Sequence, residues 1–122
     1  VDALAQAKRR EATTHAREVR PWGQFTVLHE ADGYKVKEVV VDGYGQLTRQ
    51  YHPGRDETWV IVEGEALVER DGETLRLHAG ETLTVPRGTE HRLSNPSPSR
   101  LKLIEIGCGE ALGDEDTVRL DG

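Results

Sequence analysis

From Gln24 to Ile106 every apolar run is soon cut by residues that turn the chain, and this punctuation constrains the fold more than any other feature. Asp32-Gly33, Gly43 and Gly45, Pro53-Gly54, Gly64, Asp71-Gly72, Ala79-Gly80 and Pro86 to Gly88 separate stretches rich in Val, Ile, Leu and Thr. Gly and Asp tolerate the backbone of tight hairpins and Pro presets φ, so each cluster ends one strand and opens the next. The expected strands cover 24–30, 34–41, 46–52, 57–63, 65–70, 74–78, 82–85, 91–95 and 100–106. Short strands at near-regular spacing build an all-β sandwich or barrel. The closing stretch, 113–120, is acidic and then briefly apolar, a candidate edge strand.

Ahead of the strands, residues 1–18 are rich in Ala, Arg and Glu and contain neither Gly nor Pro, so propensity favours a helix there. Its apolar stripe is thin, with Val1, Leu4 and Ala5 on one weak face. We therefore expect a short N-terminal helical arm or linker over 1–19, ended by Pro21 and Gly23, and one domain over 20–122.

Composition narrows the partners. At 122 residues the chain has room for one domain with a core. Lys and Arg number 16 against 22 Asp and Glu, and a net charge of −6 argues against nucleic acid and anionic membranes. No stretch approaches the roughly 18 apolar residues of a membrane span, and the N-terminus lacks the order of a signal peptide. A soluble, cytoplasmic protein with small-molecule partners is expected. Cys108 is the only cysteine, which excludes an internal disulfide and a Cys-based zinc site.

Any metal must then be held by His, carboxylate or amide groups. Residues i and i+2 of a strand share a face, so Gln50 and His52 project together. Glu57 follows the Pro53-Gly54 turn and can face the same interior, and His91 opens a later strand. An amide oxygen, two imidazoles and a carboxylate make a mixed site for a divalent first-row metal. His15, His29 and His78 have no ligand-type neighbour two residues away and read as ordinary histidines.

Two motifs carry a family resemblance. Gln50-x-His52-x(4)-Glu57-x(6)-Gly64 resembles the first cupin motif with Gln in place of its first His, and Gly80-x(5)-Pro86-x-Gly88-x(2)-His91-x(3)-Asn95 resembles the second. The implied fold is the cupin barrel, a double-stranded β-helix. Arg20-Pro21-Trp22-Gly23, Val36-Lys37, the run from Gln50 to Trp59, His91-Arg92-Leu93, Ile104-Glu105 and Leu112-Gly113-x-x-Asp116-x-Val118-Arg119 are similar, in order and spacing, to the C-terminal domain of type II mannose-6-phosphate isomerases. In that family the cupin domain usually follows a guanylyltransferase domain; this chain has no Gly-rich nucleotide-binding loop, and Arg10 to Arg20 is similar to the joining linker.

The resemblance implies a zinc site on Gln50, His52, Glu57 and His91 and a role in isomerisation for Arg55. The implied substrate is a sugar phosphate, mannose 6-phosphate exchanging with fructose 6-phosphate. Two positions depart from the family, which often has His where this chain has Gly54 and Thr58, so altered substrate handling is a possible consequence. Isomerisation also needs a base near neutral pKa. Glu105, which alternates with Leu101 and Leu103, and Lys37, which alternates with Val39 and Val41, are the candidates. Arg55 can grip a substrate oxygen or the phosphate with its planar fork. Arg92 falls on the face opposite His91, and Trp22 and Trp59 read as packing residues.

Two other function classes fit the same motifs. One is a sugar-binding cupin without catalysis; the other is an iron or manganese cupin dioxygenase or decarboxylase, which usually carries a third His where Gln50 stands. A homodimer paired through sheet edges is expected. The acidic stretches 63–73 and 110–116 are expected outside the site, leaving the pocket locally positive.

Overall fold

The computed structural model describes residues 16–120. Its strands are β1 (Arg17–Arg20), β2 (Gly23–Ala31), β3 (Tyr34–Val41), β4 (Gln50–Tyr51), β5 (Arg55–Glu63), β6 (Glu65–Arg70), β7 (Glu73–His78), β8 (Thr82–Val85), β9 (His91–Ser94), β10 (Leu101–Gly109) and β11 (Val118–Arg119), with a single 3-10 turn at Asp114–Asp116. They form two antiparallel sheets, one ordered β1-β2-β3-β10-β5-β8 and the other β11-β4-β9-β6-β7. This is the all-β cupin fold expected from the sequence.

Alternation along the strands sorts the chain into an interior and an exterior. In β5, Arg55, Glu57, Trp59 and Ile61 are buried while the residues between them are not. The interior is apolar at one end, where Phe25, Val39, Val41, Ile61, Leu101 and Leu103 join residues of the second sheet such as Val68 and Leu93. Toward the other end the same faces turn polar. In β3 the inward series runs Val41, Val39, Lys37, and β10 answers with Leu101, Leu103 and Glu105 in direct register. Each strand thus contributes to both the core and the polar cavity. Burial of these side chains, about 1.5 to 3 kcal/mol for each large one, holds the polar end in place.

Two local features differ from the sequence reading, and a third follows it. The expected helix over 1–18 falls on residues outside the described ones up to position 15, and its far end is strand instead: β1 pairs with β2 from Arg17↔Thr26 to Arg20↔Gly23. Pro21 and Trp22 turn the chain back on itself, and an open sheet edge outweighs a weak helix propensity. The expected strand 46–52 narrows to Gln50–Tyr51 plus an isolated bridge between Gln46 and Ser94. Gln50 pairs with His91, so the segment advances four residues while its partner advances three, and the extra residue breaks the ladder. The candidate strand in 113–120 is present as β11, paired with β4.

Buried Asn95 ties the loops at the apolar end. Its amide donates to the carbonyl oxygens of Val41, Asp42 and Ser99 at 3.2, 3.1 and 2.7 Å, and its oxygen accepts from the Ser97 N–H at 3.0 Å. Among the described residues no helix is long and apolar enough to cross a membrane.

Candidate metal centre

Side chains from both sheets enclose a cavity of about 320 Å³. The first sheet supplies Lys37, Glu105 and Trp59, placed side by side by the register of β3, β10 and β5, with Glu57 two residues from Trp59 on the same face. From the second come Arg119, Gln50 and His91, directly opposed across β11, β4 and β9. His52 follows β4 and completes the lining.

His52, Glu57 and His91 are buried and offer ligand atoms all within 4.8 Å of one another. The imidazole centroids are 5.1 Å apart, and His52 Nε2 is 3.4 Å from Glu57 Oε2. His91 Nδ1 lies 2.9 Å from the Thr89 carbonyl oxygen, which only accepts, so Nδ1 carries the hydrogen and Nε2 keeps a lone pair. Burial pushes the His52 pKa down to about 4 despite the neighbouring Glu57, so this imidazole is neutral at pH 7. Neither His52 Nε2 nor His91 Nε2 has a hydrogen-bond partner, although both are buried. An orphaned buried polar atom costs about 1 to 3 kcal/mol, and a divalent cation would satisfy both at once. The donor set therefore fits a metal.

Glu57 is held from two sides. Arg55 Nε donates to its Oε2 at 2.9 Å and Trp59 Nε1 to its Oε1 at 3.3 Å. Gln50 lines the cavity, with its amide oxygen accepting from the Thr48 hydroxyl at 3.1 Å. Arg55 is buried with Nε on Glu57 and Nη1 donating to the Gly113 carbonyl at 2.9 Å, so two positions of its fork are taken up by the protein.

Lys37 and Glu105 both line the cavity, where the Lys37 ammonium sits 3.9 Å from Glu105 Oε2 and 4.5 Å from the centre of the Phe25 ring. Burial, and then the negative charge of Glu57, push the Glu105 pKa up to about 7, with Lys37 opposing them. A carboxyl that titrates near neutrality inside a cavity suits proton transfer.

The acidic stretch expected to lie outside the site in fact closes it. Asp116 accepts the Gly54 N–H at 3.0 Å with each of its oxygens and lies 3.8 Å from Arg55, while Asp114 lines the cavity. Thr117 Oγ1 is 3.2 Å from His52 Nδ1 and orients that imidazole. Sequence reasoning assigned no role to Asp116 or Thr117; the only signal was their place in the Leu112 to Arg119 motif. The two positions where the family often has His lie off the cavity. Thr58 faces outward, 3.3 Å from the Thr84 hydroxyl, and a side chain at Gly54 would press on Ala111 and Asp116. Arg92 alternates with inward His91 and Leu93, as expected, and Trp59 packs in the core.

Comparison with known proteins shows the family and the fold. The family model described as mannose-6-phosphate isomerase C-terminal matches residues 7–122. A mannose-1-phosphate guanylyltransferase of Salmonella muenchen is 36% identical over 121 residues, covering 99% of this chain and 26% of the relative. The xanthan biosynthesis protein XanB of Xanthomonas campestris is 37% identical over 121 residues, with the same coverage. The chain thus spans about a quarter of the length of these relatives. Among solved structures, KdgF from Halomonas sp. has a TM-score of 0.72 at 23% identity, covering 80% of this chain and 90% of that one. A conserved Klebsiella pneumoniae protein with a double-stranded β-helix domain has a TM-score of 0.74 at 18% identity, covering 88% and 92%. These two likenesses concern the fold.

Proposed function

The chain belongs to the mannose-6-phosphate isomerase C-terminal family, and on that premise we propose that it is a metal-dependent isomerase interconverting mannose 6-phosphate and fructose 6-phosphate. The observation that carries this reading is the pair of buried, unpartnered Nε2 atoms beside Glu57, in a cavity that also holds a carboxyl titrating near pH 7. His52, Glu57 and His91 would hold the metal, with the Gln50 amide oxygen as fourth ligand and zinc as the ion proposed. The ion supplies Lewis acidity toward the carbonyl end of the sugar.

Isomerisation of the open-chain sugar moves the C2 proton to C1 through an enediol, while the hydroxyl proton of O2 passes to O1. Glu105 is the carrier in this proposal, because near neutral pH both of its protonation states are populated, as a group that accepts and then gives back a proton requires. Lys37 stands beside it and favours its charged form. Arg55 acts through Glu57, keeping that carboxylate aimed at the two imidazoles. Phe25, Val39, Trp59 and Leu93 line the cavity with apolar surface, which limits water around the reacting carbons.

The rival reading, a sugar-binding cupin without catalysis, follows if the histidines absent at Gly54 and Thr58 belong to the site. Both positions lie off the cavity, which favours the catalytic reading. The test is formation of fructose 6-phosphate from mannose 6-phosphate, followed with coupling enzymes on the purified chain. Turnover should vanish with a chelator and return with zinc, and a chain that binds zinc but shows no turnover would overturn the proposal.

A further inference from the structure

Four cationic side chains line the cavity: Arg20, Lys37, Arg55 and Arg119. Three already face carboxylates. Lys37 meets Glu105 at 3.9 Å, Arg55 meets Glu57 at 2.9 Å, and Arg20 meets both Glu18 and Asp114 at 3.2 Å. Arg119 alone among them has no carboxylate partner among the described residues. Resting on the sugar-phosphate reading above, we infer that Arg119 is the anchor for the substrate's phosphate, an anion subsite at the cavity mouth.

Its place in the sheet supports this role. Arg119 is directly opposite Gln50, and Gln50 is directly opposite His91. Directly opposed residues share a face, and each step across the sheet is about 5 Å, so Arg119 starts about 10 Å from the imidazole end of the row. A hexose 6-phosphate carries its phosphate at the end of the carbon chain away from C1 and C2. With those carbons beside His52 and His91, the phosphate points along the row toward Arg119. The exposed guanidinium offers a planar pair of N–H donors matched to phosphate oxygens. The neighbouring Asp114 is already paired with Arg20, which tempers its repulsion of an incoming dianion. In a chain of net charge −6, an unpaired cation at the entrance also draws the anion to the one place where it is useful.

Arg119→Ala and Arg119→Lys in the zinc-loaded chain test the inference, with mannose 6-phosphate as substrate and inorganic phosphate as competing probe. Loss of the charge-assisted contact should raise KM, and weaken inhibition by phosphate, by about 10- to 100-fold with kcat held within about twofold. The Lys variant should recover part of the loss, and zinc content should be unchanged in both. An Ala variant with wild-type KM and wild-type phosphate inhibition overturns the subsite and leaves the isomerase reading standing. Should the wild type show no turnover, calorimetric titration with mannose 6-phosphate and with phosphate decides: binding weakened in the Ala variant supports the subsite while the isomerase reading falls, and no phosphate-dependent binding overturns the subsite as well.

Discussion

Glu105→Gln removes a titrating group and keeps its shape, so it isolates the cost of burying that carboxyl. Burial and the Glu57 charge raise the folded pKa of Glu105 from 4.5 to about 7. A carboxyl whose folded pKa exceeds its unfolded value takes up protons on folding. Its contribution is fully present below pH 4.5 and is lost as pH rises through 7. The gap, at about 1.4 kcal/mol per pH unit, comes to roughly 3 kcal/mol once the group is ionised in both states. His52 works the other way: with its pKa lowered from 6.5 to about 4, its contribution is present above pH 6.5 and lost as pH falls through 4. The two windows overlap and flatten the wild-type profile, but His52 is common to both proteins and cancels in the difference. Urea unfolding of the metal-free wild type and variant, from about pH 4 to about pH 8, should show their stability difference moving in the variant's favour by about 3 kcal/mol. Loss of the Lys37 contact adds an offset, so the slope is the diagnostic quantity. A difference that does not change with pH would refute the raised pKa and, with it, the choice of Glu105 as proton carrier. In the isomerase assay the same variant should lose about 10²- to 10⁴-fold in kcat and keep its zinc.

Three further perturbations test the rest of the site and its frame. His52→Ala should abolish stoichiometric zinc binding by calorimetry and the stabilisation that zinc brings, about 2.7 kcal/mol at a hundredfold excess over Kd; retention of both would show the ligand set to be wrong. Thr117→Val removes the hydroxyl that orients His52 and should weaken zinc about 10- to 100-fold, while Thr117→Ser should bind like the wild type. Gly23→Ala places a Cβ against the Val40 carbonyl oxygen at a φ of +152°, where L side chains rarely sit, and should cost more than about 1 kcal/mol in urea unfolding.

The residues lining the site were legible to different degrees, for a physical reason. Strand alternation is a property of the local backbone with a period of two, so the inward faces of Lys37, Glu57 and Glu105 follow from their immediate neighbours. The slip at Gln46 to Gln50 does not, because it depends on how a partner strand forty residues later is spaced; the Gln46↔Ser94 and Gln50↔His91 pairs reveal it only together. The helical reading of 1–18 failed at Arg17 and Glu18 for a related reason, since propensity speaks of an isolated segment and the open edge of β2 lies outside it.

By itself, then, the chain determined an all-β fold, the alternation of its strands and the inward approach of His52, Glu57 and His91, a group that could hold a metal, because turn chemistry and period-two patterning act over a few residues. Only the tertiary structure decided that Arg55 also bonds the Gly113 carbonyl, that Asp116 and Thr117 return to brace Gly54 and His52, and that Arg119 is the lining cation left without a carboxylate partner among the described residues. The contacts of Gly113, Asp116 and Thr117 join segments about sixty residues apart, and they exist only because the two sheets bring residues 113–119 and 50–57 onto one cavity.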